Sequence, residues 1–129
     1  MDAWLVFNAA GLTPARQHAL LDALRTPESV LGATEKDLTS VDGITSREVK
    51  KLRGASDDLD LAAAKETLME WGIHLVPRDS AEYPGLLGEV SGGPAMLFVQ
   101  GQVPDAPAVG IVGTRKCTPY GRQAAERLA

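Results

Sequence analysis

The residues best suited to chemistry lie between Val109 and Arg122, where an apolar run ends at Gly113 and two cations follow. Glycine lets a ligand approach the backbone closely, and the free amides at a helix start favour an anion. Arg115 can donate to two phosphate oxygens at once, and Lys116 adds a mobile positive charge. This pattern favours phosphate or nucleic-acid binding over an ordinary strand-to-helix turn with solvated cations.

Cofactor, metal and catalytic chemistry find little support in the residue pattern. Dinucleotide binding uses the spacing G-x-G-x-x-G, and only Gly110 and Gly113 are present in this segment. His18 and His74 have no nearby nucleophile and no metal-ligand spacing. Cys117 stands alone, and a loop filler is its simpler role. We therefore predict no cofactor, no metal site and no catalytic residue.

Composition and charge narrow the class of protein. The chain has 129 residues, 44% of them hydrophobic, and a net charge of −4. Its apolar runs fall short of the ~20 residues that span a bilayer, and a single cysteine fits a reducing cytoplasm. Residues 1–70 carry eight Lys/Arg against twelve Asp/Glu, whereas residues 109–129 carry four against one. The positive charge is therefore concentrated in the segment that favours phosphate.

A second candidate is the pair of short helices predicted around Gly43. The sequence Val-Asp-Gly-Ile joins the two helices, and glycine can adopt a positive φ at such a reversal. Lys50 and Lys51 follow, so the segment resembles a helix-hairpin-helix element that contacts DNA through Gly43 and these lysines. Thr45 stands where that element usually has its second glycine. A packing hairpin in a helical bundle is the alternative, and the acidic balance of this region favours it.

The elements that position these residues follow from caps and periodicity. Thr-Pro pairs and capping boxes predict short helices through residues 1–72, with a longer helix starting near Ser56. Apolar runs at 73–76, 96–99 and 108–112 predict strands of a parallel sheet, and a last helix begins at Pro119. We expect a helical domain over residues 1–72 and the truncated start of an α/β domain over residues 73–129.

Three ordered motifs resemble the DNA-processing protein A family (DprA, also called Smf). Gly113-Thr114-Arg115 followed by Tyr120-Gly121 resembles its G-[ST]-R-x4-Y-G signature. Upstream, the sequences Tyr-Pro-Gly-Leu-Leu at 83–87 and Pro-Ala-Met-Leu-Phe-Val-Gln-Gly at 94–101 resemble two further segments of the family. The family has a proline where this chain has Gly93. The helical region over residues 1–72 agrees only loosely with the family's N-terminal domain, which is of SAM-like or helix-hairpin-helix type.

The resemblance implies a function. Members bind single-stranded DNA without catalysis and load the RecA recombinase on it during natural transformation. Their extended Rossmann-like domain holds phosphates in a basic pocket. By motif position, that pocket would include the backbone of Gly113 and Thr114, the side chain of Arg115 and, with less support from the motif, Lys116. Tyr120 and Gly121 would contribute there or, as the simpler alternative, shape the helix start.

The resemblance also implies parts that lie outside residues 1–129. A second glycine-rich motif, the surfaces for homodimerisation and for RecA, and in some members a winged-helix domain would follow downstream. Two alternatives remain open at this point. One is a Rossmann-type nucleotide-binding enzyme of the phosphoribohydrolase kind, and the other is a helical protein-interaction module.

Overall fold

The computed structural model describes residues 1–103, 106–107 and 109–128, which form eight helices and two strands. The helices are α1 (Asp2–Ala9), α2 (Pro14–Leu24), α3 (Pro27–Gly32), α4 (Glu35–Thr39), α5 (Ser46–Asp58), α6 (Leu61–Glu70), α7 (Gly85–Gly88) and α8 (Pro119–Leu128). The strands are β1 (Ile73–Pro77) and β2 (Met96–Gln100).

Side-chain caps start several of the short helices, as the sequence predicts. The Thr26 hydroxyl accepts from the Ser29 amide, and complete capping boxes at Thr34 and Thr45 open α4 and α5. Each cap satisfies amide groups that have no partner inside the helix. The prediction that a longer helix starts near Ser56 is wrong, because Ser56 lies inside α5. The chain instead breaks at Leu59, which is extended, and Asp60 caps the next helix.

The larger core lies among α1 to α5. Helix α1 packs against α3 and α5, and α4 packs against α5. The fully enclosed side chains there are aliphatic apart from Phe7, against which the partly buried Trp4 packs, and the most fully buried are Phe7, Leu20, Val30, Leu38 and Leu52. This cluster holds the helices on which the predicted hairpin lies.

A smaller core forms on one face of the two-stranded sheet. Val76 and Val99 pack with Tyr83, whose hydroxyl donates to the Pro94 carbonyl at 2.7 Å. Tyr83 and Pro94 belong to the two upstream motifs, which are therefore joined directly. The Gly93 amide donates to the Val90 carbonyl at 3.1 Å, a bond that proline at this position could not make. The upstream motifs thus build the turn beside the sheet.

The predicted parallel sheet is wrong for the two strands described. They pair antiparallel, with Ile73 opposite Gln100 and Pro77 opposite Met96. A parallel pair needs a crossover that carries the chain back along the sheet, usually on a helix. The only helix between them, α7, has four residues and spans ~6 Å, too little to retrace a five-residue strand. The apolar runs that suggested parallel strands are covered on one face by the packing around Tyr83 and only in part on the other, where Met96 is buried but Phe98 is 48% exposed.

The third predicted strand, over 108–112, is not formed in the part that the structure describes. Ala108 lies outside the described residues, and 109–112 have no strand pairing. Val109 and Val112 are almost fully exposed, at 90% and 95%. The described structure is therefore α+β, mostly helical at its start and with a small antiparallel sheet.

Candidate nucleic-acid interface

The predicted phosphate loop is an exposed segment that leads into α8. All residues from Ile111 to Tyr120 are exposed. Within the described part of the chain, the Arg115 and Lys116 side chains make no ion pair and no hydrogen bond. Both cations are thus available to an anion from solvent.

Two threonines shape the loop. The Thr114 hydroxyl accepts from the Lys116 amide at 3.0 Å, which turns the backbone around Arg115. The Thr118 hydroxyl accepts from the Gly121 amide at 3.2 Å, the side-chain cap typical of a helix start. The start of α8 therefore follows the two cations directly, where an anion would meet amides as well as side chains.

A shallow concavity lies along the start of α8. It has a volume of about 650 Å³, and its lining includes Cys117, Tyr120, Arg122 and Gln123. Tyr120 is 80% exposed and offers its ring to solvent. Arg122 was not among the predicted site residues. Arg122 lies three residues after Pro119, so both lie on one helix face. Helical spacing in the sequence could therefore have identified Arg122 as a site residue.

The structure brings the predicted residues together only in part. Gly113, Thr114, Arg115 and Lys116 form the loop, and Tyr120 lies in the first turn of the helix beyond it. At Gly121 an added Cβ would lie 3.5 Å from the Thr118 hydroxyl, so this glycine backs onto the cap. At Gly113 nothing lies within 4 Å of an added Cβ. The described residues form an open, basic surface at this point.

The hairpin around Gly43 has the predicted turn, with φ +77° at this glycine. The Thr45 amide is already engaged, however, because the Glu48 carboxylate accepts from both the amide and the hydroxyl of Thr45. Arg16 of α2 pairs with Glu48 at 3.1 Å and donates to the Gly43 carbonyl at 3.2 Å. The carboxylate and its arginine thus tie the hairpin to α2, which favours the packing interpretation.

The environment of Glu48 lowers the pKa of its carboxyl group. The Thr45 hydroxyl bond is the largest cause, and the Thr45 amide and the Arg16 guanidinium lower the pKa further, against the opposing effect of burial. Glu48 is only 3% exposed. The ionised carboxylate is therefore the form that the folded hairpin favours.

Replacement of Glu48 by glutamine should reduce stability at neutral pH and change its pH dependence. A carboxyl whose pKa is lowered by folding stabilises the protein above its unfolded pKa of about 4.3. That contribution is lost as the pH falls through the lower, folded pKa. We expect the wild type to exceed Glu48→Gln in unfolding free energy at pH 7, with the gap shrinking at pH 3. Urea unfolding at both pH values measures this, with the exposed Glu66→Gln as control. An equal gap at the two pH values would contradict it.

The sequence did not reveal a polar junction between α2 and the segment after β1. Arg78 donates to the Gly88 and Val90 carbonyls, and its Nη1 lies 3.0 Å from His18 Nε2. The same histidine nitrogen lies 2.7 Å from the Gly93 carbonyl oxygen. The two contacts of His18 join residues that are 60 and 75 positions apart, so no local pattern could have predicted them.

Among the described residues, no group of three or more His, Cys, Asp or Glu side chains is placed to hold a metal ion. None of the described helices has the length and apolar character needed to cross a bilayer.

Known proteins were compared with the chain. The family model described as DNA recombination-mediator protein A matches residues 74–129. DNA processing protein DprA of Bacillus subtilis is 39% identical over 62 residues, covering 46% of this chain and 21% of that protein. Protein Smf of Synechocystis sp. is 25% identical over 133 residues, covering 98% of this chain and 33% of that protein. The chain thus spans about a fifth to a third of the length of these relatives. No solved structure matches it significantly.

Proposed function

We propose that the full-length protein binds single-stranded DNA, because residues 74–129 match the family model of DNA recombination-mediator protein A and the chain is similar to the two relatives named above. In this proposal the protein delivers the strand to the RecA recombinase during DNA processing in natural transformation. It works in the cytoplasm, as a homodimer formed through regions outside residues 1–129. It binds and positions DNA and catalyses no reaction.

The observation that carries the proposal is the exposed basic loop at the start of α8. Arg115 and Lys116 extend into solvent directly before a capped helix. Arg122 and Arg127 add two further cations, against the single acidic residue Glu126 between residues 109 and 128. In a chain of net charge −4, this is the segment with the electrostatic character that a phosphate backbone requires.

Each residue of the motif has a proposed role. Arg115 donates to phosphate oxygens as a fork, and Lys116 supplies a second cation. Gly113 and Thr114 present backbone amides to the same phosphate. Tyr120 and Gly121 complete the surface at the helix start, where the exposed tyrosine ring can stack on a base.

The full-length fold is also a proposal. We assign residues 1–72 to a SAM-like or helix-hairpin-helix domain and residues 73–129 to the start of a Rossmann-like domain. Val109, Ile111 and Val112 are exposed in the described structure, although side chains of this type normally lie inside. We propose that residues 109–112 become a strand of a parallel sheet when the rest of the domain is present. Arg115 would then lie at the carboxyl end of that strand, the usual ligand position in such folds.

A salt titration of DNA binding tests the proposal. Fluorescence anisotropy of a labelled oligonucleotide of about 30 nucleotides, longer than a single binding site, would measure the affinity of the full-length protein. We expect similar affinity for different sequences. We also expect the logarithm of the affinity to fall linearly with the logarithm of the salt concentration, with a slope of about 0.7 for each phosphate contacted. Absence of binding at low salt, or affinity that salt does not change, would contradict it. Hydrolysis of a nucleoside monophosphate by the protein would contradict the non-catalytic part.

A further inference from the structure

A groove lies between the end of α1 and one face of α5. Its volume is about 530 Å³. Three cations line it, Arg47, Lys50 and Lys51, and their spacing along the helix puts them on one face. Asp58 is the one acidic side chain among the lining residues described. The lining therefore carries a net positive charge, in a region where acidic residues outnumber basic ones by twelve to eight.

The cations of α5 and the neighbouring Arg16 differ in how firmly they are tied to the fold. Arg16 and Arg53 are tied to the fold, the first by Glu48 and Gly43 and the second by the Leu31 and Ala33 carbonyls. In the described part of the chain, the Arg47 and Lys50 side chains make no ion pair or hydrogen bond.

The third groove cation, Lys51, is held only loosely. Its ammonium nitrogen lies 3.5 Å from the Gly11 carbonyl, at the long end of the range for a hydrogen bond. All three groove cations are exposed and can reorient toward a ligand.

The floor of the groove indicates the class of ligand. Its uncharged lining residues are small apart from Leu59, and they are Ala9, Ala10, Gly54 and Ala55. A peptide helix binds a groove through large apolar anchors that fill pockets, and side chains as small as these line a shallow trough instead. A phosphodiester backbone needs no such pocket, because cations alone hold it without reading bases. The groove therefore fits a nucleic-acid backbone better than an acidic peptide.

We infer that the α1–α5 groove is a second contact for the DNA strand, made through the side chains of Arg47, Lys50 and Lys51. This inference rests on the proposed function, since it extends the same strand to a second surface. The contact differs from a helix-hairpin-helix contact, because the Thr45 amide of the hairpin is already bonded to Glu48. The groove cations act on phosphates through their side chains on α5, and the amides of the turn take no part.

The test compares two variants of the full-length protein in the anisotropy assay. Lys50→Gln/Lys51→Gln removes two positive charges from the groove. Lys36→Glu changes the net charge by the same amount at an exposed residue of α4, outside the groove. At 0.1 M salt we expect the groove variant to bind the long oligonucleotide roughly 10- to 25-fold more weakly, with a salt slope shallower by about 1.4. The control should stay within about twofold of the wild type, the scale of a general change in electrostatic steering.

Each outcome has a distinct meaning. If the wild type binds DNA but the two variants behave alike, the groove contact is wrong and the proposed function stands. If the wild type does not bind DNA at all, both proposals fall. If the groove variant keeps its DNA affinity but loses binding of a labelled poly-glutamate peptide that the wild type holds, the groove is a protein-binding surface and the inference is overturned.

Discussion

Replacement of Leu20 by alanine is expected to destabilise the protein by about 3–5 kcal/mol, a large part of the 5–15 kcal/mol typical of a domain. Leu20 is 0% exposed and lies in the larger core with Phe7, Val30 and Leu38. The truncation removes buried methyl groups and leaves a cavity that the surrounding helices can fill only in part. The loss should lower the melting temperature by roughly 10–20 °C for a chain of this size.

Thermal unfolding followed by circular dichroism at the helix band measures this effect. Leu86→Ala is the matched control, because it makes the same chemical change on α7 at a residue that is 77% exposed. Its unfolding free energy should stay within about 0.5 kcal/mol of the wild type. Equal melting temperatures for the two variants would contradict the assignment of the larger core to α1 through α5.

The helical part could be predicted from the sequence because its signals are local. A threonine hydroxyl caps a helix through amides two or three residues away, and Gly43 and Gly72 adopt the positive φ that glycine allows. The error near Ser56 has a local cause as well. Several polar residues in this stretch could cap a helix, and Asp60 rather than Ser56 makes the bond that starts α6.

The sheet could not be predicted with the same success, because strand direction depends on distant contacts. An apolar run predicts a covered strand, but it carries no information on the direction of the neighbouring strand. Here Val76 and Val99 are buried against Tyr83 in an antiparallel pair, whereas Phe98 on the opposite face is 48% exposed. The junction of His18 with Arg78 and Gly93 is equally non-local.

The residues of the candidate site likewise divide into those that the sequence could identify and those that only the structure could. The loop cations are contiguous in sequence, so residue type and order identified them. In the helical region, Arg16, Arg47, Lys51 and Arg53 are all basic residues. Only the structure separates Arg16 and Arg53, which are bonded to carbonyls or to Glu48, from the cations that line the groove, where Lys51 makes one long contact with a carbonyl. Which cation remains available to a ligand is decided by tertiary contacts.

Loss of both loop cations should weaken DNA binding more than any other change proposed for the interface. We expect Arg115→Ala/Lys116→Ala to reduce the affinity of the full-length protein for single-stranded DNA by about 25- to 100-fold at 0.1 M salt. Two lost phosphate contacts account for about 25-fold, and the forked geometry of arginine accounts for the upper end. The reduction should be similar for every sequence tested, because contacts to phosphates do not distinguish bases.

Anisotropy titrations on at least three unrelated oligonucleotides would measure this loss, with Lys36→Glu as the control of equal charge change. Both loop side chains are exposed, so the melting temperature of the variant should match that of the wild type, and weaker binding would then report on the interface itself. A loss confined to one sequence would indicate base recognition instead of phosphate contact. A loss no larger than that of Lys36→Glu would show that these cations act only through the general field of the protein, and the loop would then no longer be the binding site.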